Sequence, residues 1–329
     1  MTMVLKLYDT DLAEMIMEKE YPAVFSVQDG GIRESEVQLD LPAGRGYYKE
    51  IYFEHVHIGY GSAALAREVR LDFESDFETV EMHFSLKGGS SARTGHFSGE
   101  VDFSGNQHNI IYANRLKGEM RWHPTDFQLL EINLSPRFFT RFLPEGSHLS
   151  DRFRETIEKG RSGLLSATHR LISLRMYELI REIMHCNRKG IFKRMFLEAR
   201  VIELLLLQLE QMDEAPHPAV SLRKPDIDKL YAVRDYLLAH LDTTCSLTDL
   251  AHRVGTNEFA LKKGFRELFG TTVFGFWHDA KMEQARKLLA EEDRSVSEVS
   301  DLVGYQNPRH FSSAFRKKFG VLPSRMRLG

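Results

Sequence analysis

The last third of the chain repeats itself, and this repeat constrains the fold more than any other feature of the sequence. SLTDLAHRVG (246–255) recurs 49 residues later as SVSEVSDLVG (295–304), and LKKGFRELFG (261–270) recurs 50 residues later as FSSAFRKKFG (311–320). Each half has the grammar of a short helix, a tight turn and a second helix. Ser246 with Asp249, and Ser295 with Glu298, are Ser-x-x-acid capping boxes. Leu247, Leu250 and Val254, matched by Val296, Val299 and Val303, lay an apolar stripe on the first helix. Gly255 and Gly304 stand where a tight turn needs a positive φ or a close approach of helices. Asn257 then caps the second helix of one half, and Asn307-Pro308 supplies a cap and a first-turn proline in the other. Leu261, Phe265 and Leu268, or Phe311, Ala314 and Phe315, are predicted to point inward. Outward remain Phe259, Lys262, Lys263 and Arg266 in one helix and Arg309, His310, Ser312, Ser313 and Arg316 in the other, with Lys317 and Lys318 adding charge. One such face alone could be a solvated surface; two capped units in the same order predict two helix-turn-helix units, about 246–270 and 295–320. Between them Phe274–Leu289 reads as one linker helix, about 24 Å long at 1.5 Å per residue. Such a rod can hold two recognition helices roughly one DNA turn, ~34 Å, apart.

Charge agrees with this division. Residues 220–329 carry 18 Lys and Arg against 14 Asp and Glu, a balance of +4, whereas the chain as a whole stands at -3. A mildly basic C-terminal third suits a polyanionic partner. With 42% hydrophobic and 28% charged residues the 329-residue chain is of ordinary globular composition, which excludes a mainly disordered or low-complexity protein and predicts two or three domains. No run reaches the ~18 apolar residues of a spanning helix, and the start is acidic rather than basic and then apolar. Cys186 and Cys245 stand far apart without a CxxC and read as packing residues. These features predict a soluble cytoplasmic protein with no membrane partner.

Ahead of the repeat, residues 24–134 read as short strands: Glu36–Leu41, Tyr48–Ile58, Glu68–Phe73, Val80–Leu86, Gly99–Phe103, Asn109–Ala113, Glu119–Trp122 and Phe127–Leu134. Val80, Met82, Phe84 and Leu86 alternate with Glu81, His83 and Ser85, and turn residues such as Gly88–Ser91 punctuate the runs. Strands at this spacing predict a barrel or a double-sheet sandwich. Ser135-Pro136 begins a helical part, with Leu171–His185 and Ile191–Met212 as its main helices, and Asp213–Pro225 reads as a linker. The second of these helices is apolar around much of its circumference and must be buried on more than one side. Leu205, Leu209 and Met212 would serve a homodimer contact, or the same stripe would pack on the strand domain.

The segment Ile227–Leu328 resembles the DNA-binding domain of the AraC/XylS family of bacterial transcription regulators. Leu-Ala-x-x-Val-Gly (250–255), Gly320-x-x-Pro323 and Phe276-Trp277-x-x-x-Lys281-x-x-x-Ala285-x-x-Leu288-Leu289 fall in family register. Thr271–Val273 and Met326 depart from it, where proline and an aromatic are usual. The resemblance implies recognition helices Asn257–Phe269 and Asn307–Phe319 on double-stranded promoter DNA, with RNA polymerase as a further partner. The strand-rich part resembles the family's cupin-like effector domains, and Met82 to Phe139 is similar to the pyochelin-responsive group, which implies a small-molecule, siderophore-related effector. The expected architecture is therefore an α+β multidomain chain. It comprises a cupin-like β-barrel or sandwich over 1–145, a helical dimerisation and connector region over 146–213, a linker over 214–225 and an all-α domain over 226–329. The DNA-binding set is Asn257, Phe259, Lys262, Lys263, Arg266, Asn307, Arg309, His310, Ser312, Ser313, Arg316 and Lys317.

His55 and His57 form an HxH that alternates in register with Ile51 and Phe53. Three readings are open: satisfied interior histidines, lining of a ligand pocket, or metal ligation. Metal-binding cupins follow HxH with Glu three or four residues on, where Gly61 or Ser62 stands here, so the motif is incomplete and no metal or other cofactor is expected. The pocket candidates are Tyr48, Phe53, His55, His57 and Trp122. No phosphate loop, nucleophile elbow or dinucleotide fingerprint is present in the sequence, so no catalytic residue is assigned. A regulator rather than an enzyme is the expectation; the alternative is a cupin-like enzyme tethered to a DNA-binding domain.

Overall fold

The computed structural model describes residues 2–9, 14–22, 31–41, 43–97, 99–124, 126–214, 222, 224–269, 271–291 and 294–326. The chain divides into two units, Met1–Pro216 and His217–Gly329. Unit 1 contains strands β1 (Thr2–Asp9), β2 (Glu14–Pro22), β3 (Ile32–Leu41), β4 (Gly44–Phe53), β5 (Val56–Leu65), β6 (Val69–Ser75) and β7 (Glu78–Lys87). It continues with β8 (Gly89–Thr94), β9 (Val101–Ser104), β10 (Gln107–Asn114), β11 (Lys117–Trp122), β12 (Asp126–Leu134), β13 (Gly163–Leu164) and β14 (Arg170–Leu171). They form two antiparallel sheets, ordered β2-β1-β6-β11-β8-β9 and β13-β10-β7-β12-β5-β4-β3, with β14 also on β10. Helices α1 (Pro136–Phe139), α2 (His148–Glu158), α3 (Leu174–Met184) and α4 (Gly190–Asp213) follow or interleave with the last strands.

The second sheet separates two apolar layers, which the alternation of its side chains makes unavoidable. Val80, Met82 and Phe84 of β7, Ile110 of β10 and Leu130 and Ile132 of β12 are wholly buried on one face, in a core shared with Leu179 and Ile180 of α3 and Leu197, Leu204 and Leu205 of α4. Burying each such side chain contributes about 1.5–3 kcal/mol. On the other face Ala63, Leu65 and Phe127 meet Val69 and Leu71 of the first sheet. The alternation holds, and it sets Glu81 and His83 on the opposite face, where they line the space between the sheets.

Three expectations are corrected. The run Tyr48–Ile58 is two strands, because Phe53 pairs with Val56 and the chain turns at Glu54 and His55, the latter at φ 65. Gly88–Ser91 is not a turn throughout, since β8 begins at Gly89 and pairs with β11. The dimer stripe Leu205, Leu209 and Met212 is buried in the unit's own core, as the packing alternative holds. The linker expected over 214–225 lies largely outside the described residues.

Among the described residues of unit 2 the regular elements are all helices: α5 (Lys224–Ala239), α6 (Leu247–Arg253), α7 (Glu258–Phe269), α8 (Val273–Glu291), α9 (Val296–Leu302) and α10 (Pro308–Phe319). Gly255 and Gly304 turn α6 into α7 and α9 into α10 at φ 64 and 73. The first part of α8 packs on the first pair, with Phe276 and Phe265 ring centres 5.6 Å apart. Its second part packs on the other pair, where Met282, Ala285 and Leu289 meet Val299, Val303, Phe311 and Phe315. Met326, standing where an aromatic is usual, also lies against that cluster.

Candidate nucleic-acid interface and ligand cavity

The helix pairs start where their sequences say they should. Ser246 Oγ accepts from the Asp249 N–H at 3.1 Å while the Asp249 carboxylate accepts from the Ser246 N–H at 3.1 Å, and Ser295 and Glu298 repeat the exchange. Asn257 Oδ1 accepts from the Ala260 N–H at 2.9 Å and Asn307 Oδ1 from the Arg309 N–H at 2.8 Å. These two asparagines therefore hold the starts of α7 and α10 and fix the direction in which each helix projects its side chains.

With Leu261, Phe265 and Leu268 buried, α7 turns Phe259, Lys262, Lys263 and Arg266 outward, and Phe259 is 76% exposed. Lys262 pairs with Glu258 at 3.3 Å across one turn. In α10, Phe311 and Phe315 are buried while Arg309, His310, Ser313, Arg316 and Lys317 are exposed and Ser312 is half-buried. Lys263, Arg266, Arg309, Arg316 and Lys317 make no ion pair among the described residues. Lys318 differs from its neighbours: it pairs with Asp279 of α8 at 2.7 Å and is turned into the unit. Each second helix thus carries a ridge of uncompensated positive charge, the arrangement that phosphate oxygens and guanine acceptors can meet.

Between the two sheets of unit 1 lies a cavity of about 260 Å³. Trp122, Phe103, Met120, Phe127 and Leu129 give it an apolar lining, and Tyr48, Glu81, His83, Glu131 and Asn133 a polar wall on the second sheet. Tyr48 donates its hydroxyl hydrogen to Glu131 Oε1 at 2.5 Å. The pair lies over β5 because Gly59 has no side chain; a Cβ there would sit 2.1 Å from the Tyr48 hydroxyl. Burial, then the negative charge of Glu81, hold the Glu131 carboxyl above the usual carboxylate range, against the pull of His57. His83 Nδ1 meets Glu81 at 2.7 Å, and its buried Nε2 has no partner among the described residues. Phe103 lies between the rings of His83 and His169, at centroid distances of 4.1 and 3.9 Å.

Of the five pocket candidates, Tyr48 and Trp122 line this cavity. His57 stands behind its wall, bonding Glu50 at 3.2 Å and receiving the Asn133 amide at 3.3 Å. Phe53 and His55 are elsewhere. Phe53 is 1% exposed in the core against the helices, and His55 is exposed in the β4–β5 turn, stacked on Phe138 at 6.1 Å. The turn inverts the parity of alternation, so residues 53 and 57 face opposite sides. Glu131 and Asn133 went unassigned on sequence; the spacing Gly59-x-Gly61 on a strand, which leaves room for a ring, was the signal. Among the described residues no group of three or more His, Cys, Asp or Glu could hold a metal ion, and no helix is long and apolar enough to cross a membrane.

Comparison with known proteins gives two family matches: a helix-turn-helix domain over residues 250–328, and the N-terminal domain of regulatory protein PchR over residues 59–223, half of the chain. The regulatory protein PchR of Pseudomonas aeruginosa is 35% identical over 123 residues, 37% of this chain and 42% of that protein. The uncharacterised HTH-type transcriptional regulator YidL of Escherichia coli is 34% identical over 102 residues, 31% of this chain and 33% of that protein. The matches therefore span less than half the length of these relatives. A transcriptional regulator structure from Chromobacterium violaceum, described as containing an AraC-type DNA-binding domain, is 24% identical at a TM-score of 0.30, covering 32% of this chain and 93% of that one.

Proposed function

Because the chain belongs to the AraC/XylS family, in the group with a PchR-type N-terminal domain, we propose that it is a transcription regulator that binds promoter DNA through two helix-turn-helix units. The observation that carries this reading is the pair of repeat-related helices α7 and α10, each capped and each exposing basic side chains that have no ion partner among the described residues. Lys262 or Lys263 and Arg309 read guanine edges, Phe259 packs on a thymine methyl, and His310, Ser312 and Ser313 complete the contact set. Arg266, Arg316 and Lys317 neutralise phosphates, while Asn257 and Asn307 contribute by setting the two helix starts. The cupin-like domain, taken as residues 1–145, holds a small-molecule effector in the cavity between the sheets, and the siderophore-related class is the one its resemblance implies. Residues 146–213 act as connector and homodimer contact, 214–225 as linker and 226–329 as the DNA-binding domain. RNA polymerase is the partner downstream of promoter binding. We assign the protein to the cytoplasm and give it no enzymatic role.

Selection of duplexes from a random pool by the full-length protein tests the reading. Two half-sites about one helical turn, ~34 Å, apart should be enriched. Arg309→Ala should relax preference at one base pair at a cost of about 1–3 kcal/mol, and Arg316→Ala should weaken all sequences alike. No enrichment above non-specific binding would sink the proposal.

A further inference from the structure

The two turn glycines of unit 2 are equivalent in the repeat but not in their surroundings. A Cβ at Gly255 would meet nothing within 4 Å, whereas one at Gly304 would lie 2.8 Å from the Asp242 carbonyl oxygen and 2.9 Å from Lys281 Nζ. Asp242 belongs to the loop between α5 and α6, ahead of the first helix pair, and Gly304 is the turn of the second. The turn of one pair is therefore seated on the approach to the other. Lys281 of α8 reaches the same point: it is 8% exposed, its ammonium donates to the Thr243 carbonyl at 3.1 Å, and it lies 4.2 Å over the Trp277 ring. Burial pulls its pKa below the ordinary lysine value. An apolar side chain would pack α8 there without that desolvation cost, so what the ammonium adds is its hold on the 242–243 loop beside the Gly304 turn.

The surfaces that meet here, the Gly304 turn and the Asp242–Thr243 loop, belong to neither α8 nor its two cores. Two helix pairs attached through separate cores to one helix are tied along that helix, yet each core alone leaves rolling about it less constrained. A second contact outside those cores removes that freedom. We propose that Lys281 and Gly304 form a joint that fixes α7 and α10 at one separation and angle, so that Lys281 sets which half-site spacing is read without touching DNA. The inference rests on the two-unit DNA reading above, and makes Lys281 a positioning residue.

The probes are the duplex selected by the wild-type full chain, the same duplex with one base pair inserted between its half-sites, and a duplex with one half-site. Insertion rotates one half-site by about 35° and moves it by about 3.4 Å. The wild type should lose about tenfold or more in affinity on insertion. Lys281→Met should bind the original spacing about tenfold more weakly, lose most of its discrimination between the two spacings, and keep its single-half-site affinity within about twofold. Gly304→Asn, which suits a positive φ but crowds Asp242, should behave in the same way without changing Lys281. Gly255→Asn, the matched control with open space around it, should keep the wild-type discrimination. Both joint variants discriminating spacing as the wild type does would overturn the joint alone, as would loss of single-half-site binding in both, which would mark a folding role. A wild type already indifferent to the insertion would overturn the two-unit reading and the joint with it.

Discussion

His108 shows how a single residue sets a measurable property of unit 1. It is buried between β10 and α4, where its Nε2 donates to Gln211 Oε1 at 2.6 Å and its Nδ1 accepts the Gln208 amide at 2.9 Å. Both ring nitrogens are satisfied only in the neutral form. Burial, reinforced by the positive charge of Arg170, holds its pKa down from 6.5 to about 4, and His169 is likewise held down to about 4, chiefly by burial. A folded-state value below the unfolded one gives stability that is full above about 6.5 and is lost as pH falls towards about 4. For His108 the loss approaches about 3 kcal/mol across that window. His108→Gln should therefore roughly halve the fall in urea-unfolding free energy between those pH values, leaving the comparable part due to His169; an unchanged slope would show that His108 is not the group responsible. No sequence pattern marks His108, because its partners stand about a hundred residues away on another element. His57 was visible as part of an HxH, but its face was not: a two-residue hairpin with a positive φ at His55 interrupts the period on which the assignment depended.

At the scale of elements, legibility followed locality. Both capping boxes, both glycine turns and the inward residues of α7 and α10 form as the repeat predicts, since each is decided within a few residues. The first half of β8 reads as a turn on sequence because Gly89, Ser90 and Ser91 have little intrinsic strand preference, and pairing with β11 decides the matter. Helix α4 defeats periodicity for another reason: apolar side chains surround most of it, so spacing cannot say which stripe faces its own domain. Leu205, Leu209 and Met212 turn inward, and Phe192, Met195 and Leu206, 73%, 61% and 52% exposed, turn outward with Ala199 and Ile202 between them. Their spacing of three and four is that of a helix-pairing seam. The ends of α4 favour a second copy in antiparallel orientation, because Arg188 and Lys189 precede it while Glu210, Asp213 and Glu214 close it. In a two-fold contact each substitution counts twice. Leu206→Glu should weaken the dimer by about 3 kcal/mol or more, roughly a hundredfold in dissociation constant. Light scattering across a concentration series measures this; a wild type that stays monomeric, or a variant that dimerises equally well, would return the role to another surface.

For the molecule as a regulator, the cavity must communicate with the end of α4, where unit 1 gives way to the linker. A short chain of contacts joins the two. Phe103 lines the cavity and stacks on His169, and the next residue, Arg170, donates its guanidinium Nη2 hydrogen to the Glu214 carbonyl at 2.7 Å, just past the last turn of α4. A ligand that displaced Phe103 would disturb His169, and with it the neighbouring group that holds the Glu214 carbonyl at the start of the linker. Proximity alone is not coupling; the physical requirement is that the ligand bind the DNA-competent and incompetent states with different affinity. A tenfold change in DNA affinity needs about 1.4 kcal/mol of such difference, and linkage requires the selected duplex to change ligand affinity by the same factor. With the ligand that gives the largest thermal shift in a screen of siderophore-like compounds, calorimetric titration with and without duplex should return that common factor. Arg170→Met should then bind ligand and duplex singly within about twofold of the wild type, yet bring the factor close to one. Retention of the full factor in Arg170→Met would remove the His169–Arg170 step from the route. Identical ligand affinities with and without duplex in the wild type would exclude control of DNA affinity altogether, leaving dimer geometry or polymerase contact as the regulated step.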